Sequence, residues 1–185
     1  MQAAVMRALY GTEIKAICKQ IQISVLLLAI FSGYGLGQSV TGVVFLVRHA
    51  EKASDAKDAL LSEAGHKRAE CLAHFLKNAN IRKILVTPVV RTQQTAEPLA
   101  KALGLKPTAL DADDIDAFVN NLRGLPNANV LVVGHSDTVP KIIEQLAGGK
   151  IPSIEGSEYD KIFVVHPEAN GKRGSVVTLR YCDCK

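Results

Sequence analysis

The sequence predicts one α/β domain of three layers, with helices on both faces of a mostly parallel sheet, and three observations lead there. The apolar runs 43–47, 84–86 and 130–133 lack the alternation of a half-solvated strand, which is how strands covered on both faces read. The stretches between them have helical spacing, so strands and helices alternate along the chain. Each run then stops abruptly in residues that can do chemistry: Arg48-His49 after the first, Thr87 and then Arg91 after the second, Gly134-His135 after the third. Ligands of open α/β sheets bind at the carboxyl ends of the strands, so two arginines and two histidines are expected to converge on one sheet edge.

Taken in order, residues 1–37 stand apart from the domain. Lys15 and Lys19 precede an apolar run from Ile21 to Leu36 that ends in Gly35-Leu36-Gly37. This pattern is read as a secretory signal peptide cut near Gln38, with an uncleaved N-terminal anchor as the alternative. The run is short for a spanning helix and is interrupted by Gln22, Ser24 and Ser32, which favours cleavage and no stable membrane association. The expectation is a secreted or periplasmic domain of residues 38–185. Losing Arg7, Lys15, Lys19 and Glu13 lowers the formal charge of +4 to +2. With no basic run or basic-aromatic interleaving, a nucleic-acid partner is excluded.

Beyond the first strand, residues 53–59 form a polar, alanine-rich loop. Ser62 then caps a helix over 63–78, whose apolar positions Ala69, Leu72, Ala73, Phe75 and Leu76 lie on one face. His66 and His74 ride on that helix as surface residues. The second strand spans 83–87 and the next helix 90–103, where Pro98 should kink or split it and Gly104 ends it. A short strand follows at 108–110, then a helix at 115–122, the strand at 130–133, and a helix at 138–146 closed by Gly148-Gly149. Runs at 162–165 and 176–180 read as a hairpin at the sheet edge joined by a glycine-rich turn, with His166 in a structural place at a strand end.

Of the four cysteines, Cys18 leaves with the signal peptide. In an oxidising compartment Cys71 would pair with Cys182 or with Cys184 and leave the other free. A Cys-x-Cys tail without a histidine partner set falls short of zinc spacing, so no metal site is expected.

Two guanidinium forks and two imidazoles, with helix N-termini beside them, describe a hollow for a tetrahedral dianion. Arginine matches phosphate oxygens bidentately and stays charged at any working pH. Empty, these groups repel one another, and an anionic ligand relieves that repulsion.

Three blocks then carry a family resemblance. Arg48-His49-Ala50-Glu51 resembles the Arg-His motif that follows the first strand in the histidine phosphatase superfamily, also called phosphoglycerate mutase-like. Residues Thr87 to Ala96 resemble its Ser/Thr-Pro-x-x-Arg-x-x-Gln-Thr-Ala block, and Gly134-His135-Ser136 is similar to its second-histidine block. The match runs from about Gly42 to the C-terminal strands. It implies a phosphoglycerate mutase-like fold in which His49 takes a phosphoryl group onto a ring nitrogen, while Arg48, Arg91, His135 and Ser136 bind the phosphate. An imidazole near its ordinary pKa has a neutral, nucleophilic fraction at neutral pH. No cofactor is implied. The activity implied is hydrolysis of phosphate monoesters, small-molecule or phosphoprotein, through phosphohistidine on His49. A phosphomutase and a silent phospho-ligand-binding protein of the same fold are the alternatives.

The proton donor to the leaving group is open. Larger relatives place a glutamate after the third strand, where this chain has Asp111, Asp113, Asp114 and Asp116; these also suit the N-terminus of the helix that follows. Two further carboxylates lie inside the matching blocks: Asp137, two residues past His135, and Glu51, which could equally pair with Lys52 or an arginine. Little sequence is inserted between the blocks, so any lid is small, and a shallow site suits a phosphatase more than a mutase.

Overall fold

The computed structural model describes residues 42–123, 125, 127–168 and 174–182. The segment 1–37 and Cys184 lie outside them, as does most of the turn expected between the last two strands. Six strands form one sheet: β1 (Val44–Arg48), β2 (Ile81–Val86), β3 (Thr108–Ala109), β4 (Asn129–Gly134), β5 (Lys161–His166) and β6 (Ser175–Arg180). Their order is β3-β2-β4-β1-β5-β6. The first four run parallel, while β5 is antiparallel to β1 and β6 to β5. The α/β fold with a mostly parallel sheet and an edge hairpin is therefore as the sequence predicts.

Four helices are described: α1 (Glu63–Leu76), α2 (Val90–Leu103), α3 (Ile115–Arg123) and α4 (Thr138–Ala147). They divide the core in two. Val44 and Leu46 of β1 and Val130 and Val132 of β4 pack with α3 and α4. Val47, Leu131 and Val133 point the other way and pack with α1 and α2. Successive strand side chains face opposite sides, so covering both faces demands the unbroken apolar runs seen in the sequence.

Helix boundaries follow local chemistry. Ser62 caps α1, its Oγ accepting from the Gly65 amide at 3.1 Å, and Gly104 and Gly148 close α2 and α4 in the left-handed conformation, at φ 64° and 69°. Gly65 has a second reason to be glycine, because a Cβ there would collide with the carbonyl oxygen of Glu51. That close approach sets α1 directly against the segment after β1.

Three expectations are corrected. Pro98 does not split α2, because Ala96, Leu99 and Ala100 around it are buried and hold both halves in place. Phe75 is 47% exposed rather than on the buried face of α1; its ring instead approaches Tyr181, centroid to centroid at 6.3 Å. Thr87 lies just past β2, which ends at Val86. The tail cysteine that pairs with Cys71 is Cys182, at a Cα separation of 6.3 Å, tying the residues after β6 to α1.

Candidate active site

β1 and β4 are central neighbours, with Arg48 in register with Gly134. The ladder continues one step further, since the His49 amide donates to the Gly134 carbonyl at 2.9 Å. This pairing brings the residue after β1 beside the residue after β4. A cleft of about 480 Å³ opens there, lined by Arg48, His49, Arg91, His135, Ser136 and Asp137 among others.

His49 is buried, and its Nδ1–H donates to the carbonyl of Ala50 at 2.8 Å. Burial lowers its pKa from 6.5 to about 3; the charges of Arg91, His135 and Arg48 act the same way, and the Ala50 bond opposes them. The ring is thus neutral at pH 7. With its single proton on Nδ1, the lone pair resides on Nε2, the nitrogen able to act as a nucleophile.

Each arginine anchors one wall of the cleft. Arg48 Nη1 donates to the carbonyls of Glu155 and Gly156, both at 2.9 Å. Arg91 Nη1 donates to the Lys57 carbonyl at 2.8 Å and Nη2 meets His135 Nδ1 at 3.4 Å. In both residues Nε is buried with no hydrogen-bond partner among the described residues. Such donors are costly to leave unmade, and an oxyanion would satisfy them.

His135 is set by threonines. Its Nε2–H donates to Thr87 Oγ1 at 2.9 Å, and Thr87 Oγ1 meets Thr92 Oγ1 at 3.0 Å, all with both threonines buried. Its backbone amide donates to Thr138 Oγ1 at 2.8 Å. Burial and the nearby Arg91 and Arg48 charges lower its pKa, while Asp137 acts in the opposite sense. Thr95 ties the two halves of the site, accepting from the Ala50 amide at 2.9 Å and donating to the Arg91 carbonyl at 2.7 Å.

Comparisons with known proteins bear on the family and the fold. Residues 44–113 match the family model of the histidine phosphatase superfamily, branch 1. The curated phosphohistidine phosphatase SixA of Escherichia coli (strain K12) is 29% identical over 125 residues, 60% of this chain and 78% of SixA. A solved structure of the protein histidine phosphatase SixA complexed with tungstate superposes with a TM-score of 0.60 at 26% identity, over 75% of this chain and 96% of that one. A phosphoserine phosphatase from Entamoeba histolytica, solved with 3-phosphoglyceric acid, has the same fold at a TM-score of 0.59 and 12% identity, over 77% of this chain and 98% of that one. These matches support the assignment of this chain to the histidine phosphatase superfamily.

A general phosphatase function is supported for this chain by the same relatives. The matched segment 44–113 contains Arg48, His49 and Arg91 but ends before His135; strand pairing is what adds the second histidine. The candidate proton donors separate in space. Glu51 turns away from the cleft, clasped by Arg68 of α1 through Nε at 2.8 and 2.9 Å and Nη2 at 2.7 Å. Asp114 Oδ1 caps α3 by accepting from the Ala117 amide at 2.8 Å, Asp111 Oδ1 accepts from the Asp113 amide at 3.1 Å, and Asp116 Oδ1 from Gln145 at 3.2 Å. The residue of this segment that lines the cleft is Ala112, which has no proton to give. Asp137 does line the cleft, at the start of α4.

Sequence reasoning passed over the cleft's rim and its supports. Lys52, Asp55, Lys57 and Asp58 line one side, on a loop pinned at its base by the Lys52–Leu61 bridge. Tyr159 lies under Arg48, with the guanidinium carbon 4.2 Å from the ring centroid. The alternation of lysine and aspartate at 52–58 was the one available signal for the rim. Tyr159 left none, because its place depends on a contact 111 residues away in sequence.

Proposed function

We propose that this histidine phosphatase hydrolyses its substrate in two steps, with the phosphoryl group carried between them on Nε2 of His49. The observation carrying this reading is the Nδ1–H to Ala50 carbonyl bond at 2.8 Å, which fixes the tautomer whose lone pair is on Nε2. In the first step Nε2 bonds to phosphorus as the bond to the leaving group breaks. The ring becomes a phosphoryl-imidazolium, whose charge the Ala50 carbonyl stabilises through the same hydrogen bond. In the second step water attacks phosphorus, the P–N bond breaks, and neutral imidazole returns. The two arginines hold the equatorial oxygens where negative charge is concentrated, and His135 joins them by taking a second proton on Nδ1, which the bound dianion favours.

For the substrate we infer protein-borne phosphohistidine. The chain is similar to proteins named for that activity, and Ala112 offers no acid from the segment after β3. A departing imidazole needs none at the breaking bond, because it takes its proton on the ring nitrogen remote from phosphorus. An alkoxide must be protonated as it leaves. A panel of a phosphohistidine peptide, a phosphoserine peptide and p-nitrophenyl phosphate tests this. The phosphohistidine peptide should give the highest kcat/KM, and a tenfold preference for the serine ester would reverse the inference. Scoring free phosphate against isomerised product separates a phosphatase from a mutase.

We also propose that the protein is exported and works in an oxidising compartment. The Cys71–Cys182 disulfide supports this, and a mature N-terminus near Gln38 in the secreted or periplasmic fraction is the expected finding.

A further inference from the structure

Among the described residues, Arg48 is held by one short segment, 155–159. Its Nη1 is shared by the carbonyls of Glu155 and Gly156, its Nη2 meets the Tyr159 hydroxyl at 3.4 Å, and its guanidinium carbon lies 4.2 Å from the Tyr159 ring centroid. The same ring stands 6.1 Å from that of His49. Tyr159 therefore touches the phosphate arginine on its face and stands beside the nucleophile, without itself lining the cleft.

Tyr159 is held in turn. Its carbonyl accepts from the hydroxyl of Tyr181 at 3.2 Å, and the Tyr181 amide donates to the neighbouring Asp160 carbonyl at 2.9 Å. Tyr181 is 1% exposed and directly precedes Cys182, which is bonded to Cys71 and whose carbonyl accepts from Arg68 at 3.1 Å. Both ends of this brace are thus fixed, one by the disulfide and one by the sheet.

We propose that Tyr159 is the positioning residue for Arg48, fixing the plane of its guanidinium so that Nε faces bound phosphate, and that Tyr181 holds Tyr159 in that stance. The proposal rests on the phosphatase reading and extends it to residues outside the matching motifs. A long side chain left free must be ordered when phosphate arrives, and that ordering weakens binding. A guanidinium stacked on an aromatic face and bonded along one edge is ordered beforehand.

Affinity for inorganic phosphate, measured by calorimetric titration, tests this without turnover. Tyr159→Phe keeps the ring and should bind within about twofold of the unaltered protein. Tyr159→Leu removes the ring face and should raise Kd roughly tenfold, with the loss appearing in KM more than in kcat. In an Arg48→Lys background the same Tyr159→Leu change should cost under about twofold, because the planar partner is already gone. Tyr181→Phe deletes one hydroxyl and should raise Kd about threefold.

An equal loss from Tyr159→Leu in both backgrounds would mark the tyrosine as ordinary packing and overturn the proposal. Unchanged affinity in Tyr159→Leu would do the same. Unchanged affinity in Tyr181→Phe would remove the brace, including where the leucine variant fails to fold. If the unaltered protein binds no phosphate, the phosphatase reading falls with the proposal, whereas normal binding that ignores Tyr159 overturns the proposal alone.

Discussion

The rings of His49 and His135 meet edge to face, with centroids 5.3 Å apart and planes inclined at 63°. Each has its proton directed away from the other and onto protein oxygen: Nδ1–H of His49 to Ala50, Nε2–H of His135 to Thr87. Two imidazoles at this separation, flanked by two guanidiniums, are held neutral by burial and by the surrounding positive charge.

Stability should therefore fall as the solution is acidified through the histidine range. His49 has its folded pKa depressed to about 3 from 6.5, so between those values the unfolded chain binds a proton that the folded chain does not. Its contribution is complete above pH 6.5 and is lost as pH falls, with a slope of up to about 1.4 kcal/mol per pH unit. His135 acts in the same direction. Thermal melts from pH 7.5 to 4 should show the decline, and His49→Gln should flatten it. A melt insensitive to pH in that window would mean the imidazole is not held neutral.

Thr87 fixes His135. Replacing it with valine leaves the Nε2–H of His135 without its acceptor and removes the buried contact with Thr92. Thr87→Val should cost ~1–3 kcal/mol of stability and lower kcat, while Thr87→Ser should restore both. Denaturant titration with steady-state kinetics checks the two effects together.

The two carboxylates from the matching blocks should behave differently. Glu51 is paired with Arg68, with side-chain exposures of 21% and 10%, and removing its charge should cost on the order of 2 kcal/mol of stability. The shape of the pH–rate profile should survive Glu51→Gln. Asp137→Asn should leave stability nearly unchanged and lower kcat on alkyl esters more than on phosphohistidine.

The residues behind these predictions show what a linear reading can reach. Arg48, His49 and His135 were legible because each lies within two residues of the end of an apolar run, and a strand buried on both faces announces its own end. Strand order was not legible, since β1 lies beside β4 through register contacts such as Arg48 with Gly134. Nor was the choice of Cys182 over Cys184, which depends on where the tail meets α1. Glu51 illustrates the limit most clearly: its spacing from His49 suited an acid, and only the approach of Arg68 across Gly65 shows that carboxylate engaged elsewhere. Tyr159 and Thr87 act through partners on other elements, and pairings across the fold leave no periodicity in the chain.

Opening the Cys71–Cys182 bridge should also register. It closes a loop of 111 residues, and chain-entropy arguments give about 2–5 kcal/mol for a native disulfide of this kind. The double variant Cys71→Ser, Cys182→Ser should lose stability in that range by denaturant unfolding. A loss under about 1 kcal/mol would show that the tail is held mainly by Tyr181 and Arg68.

The most direct measurement is to trap the intermediate. A brief reaction with labelled phosphohistidine peptide, quenched in alkali, should leave label on the protein that is stable to base, lost in acid and absent from His49→Ala. Label that persists in the alanine variant, or that survives acid, would contradict the assignment of His49 as nucleophile.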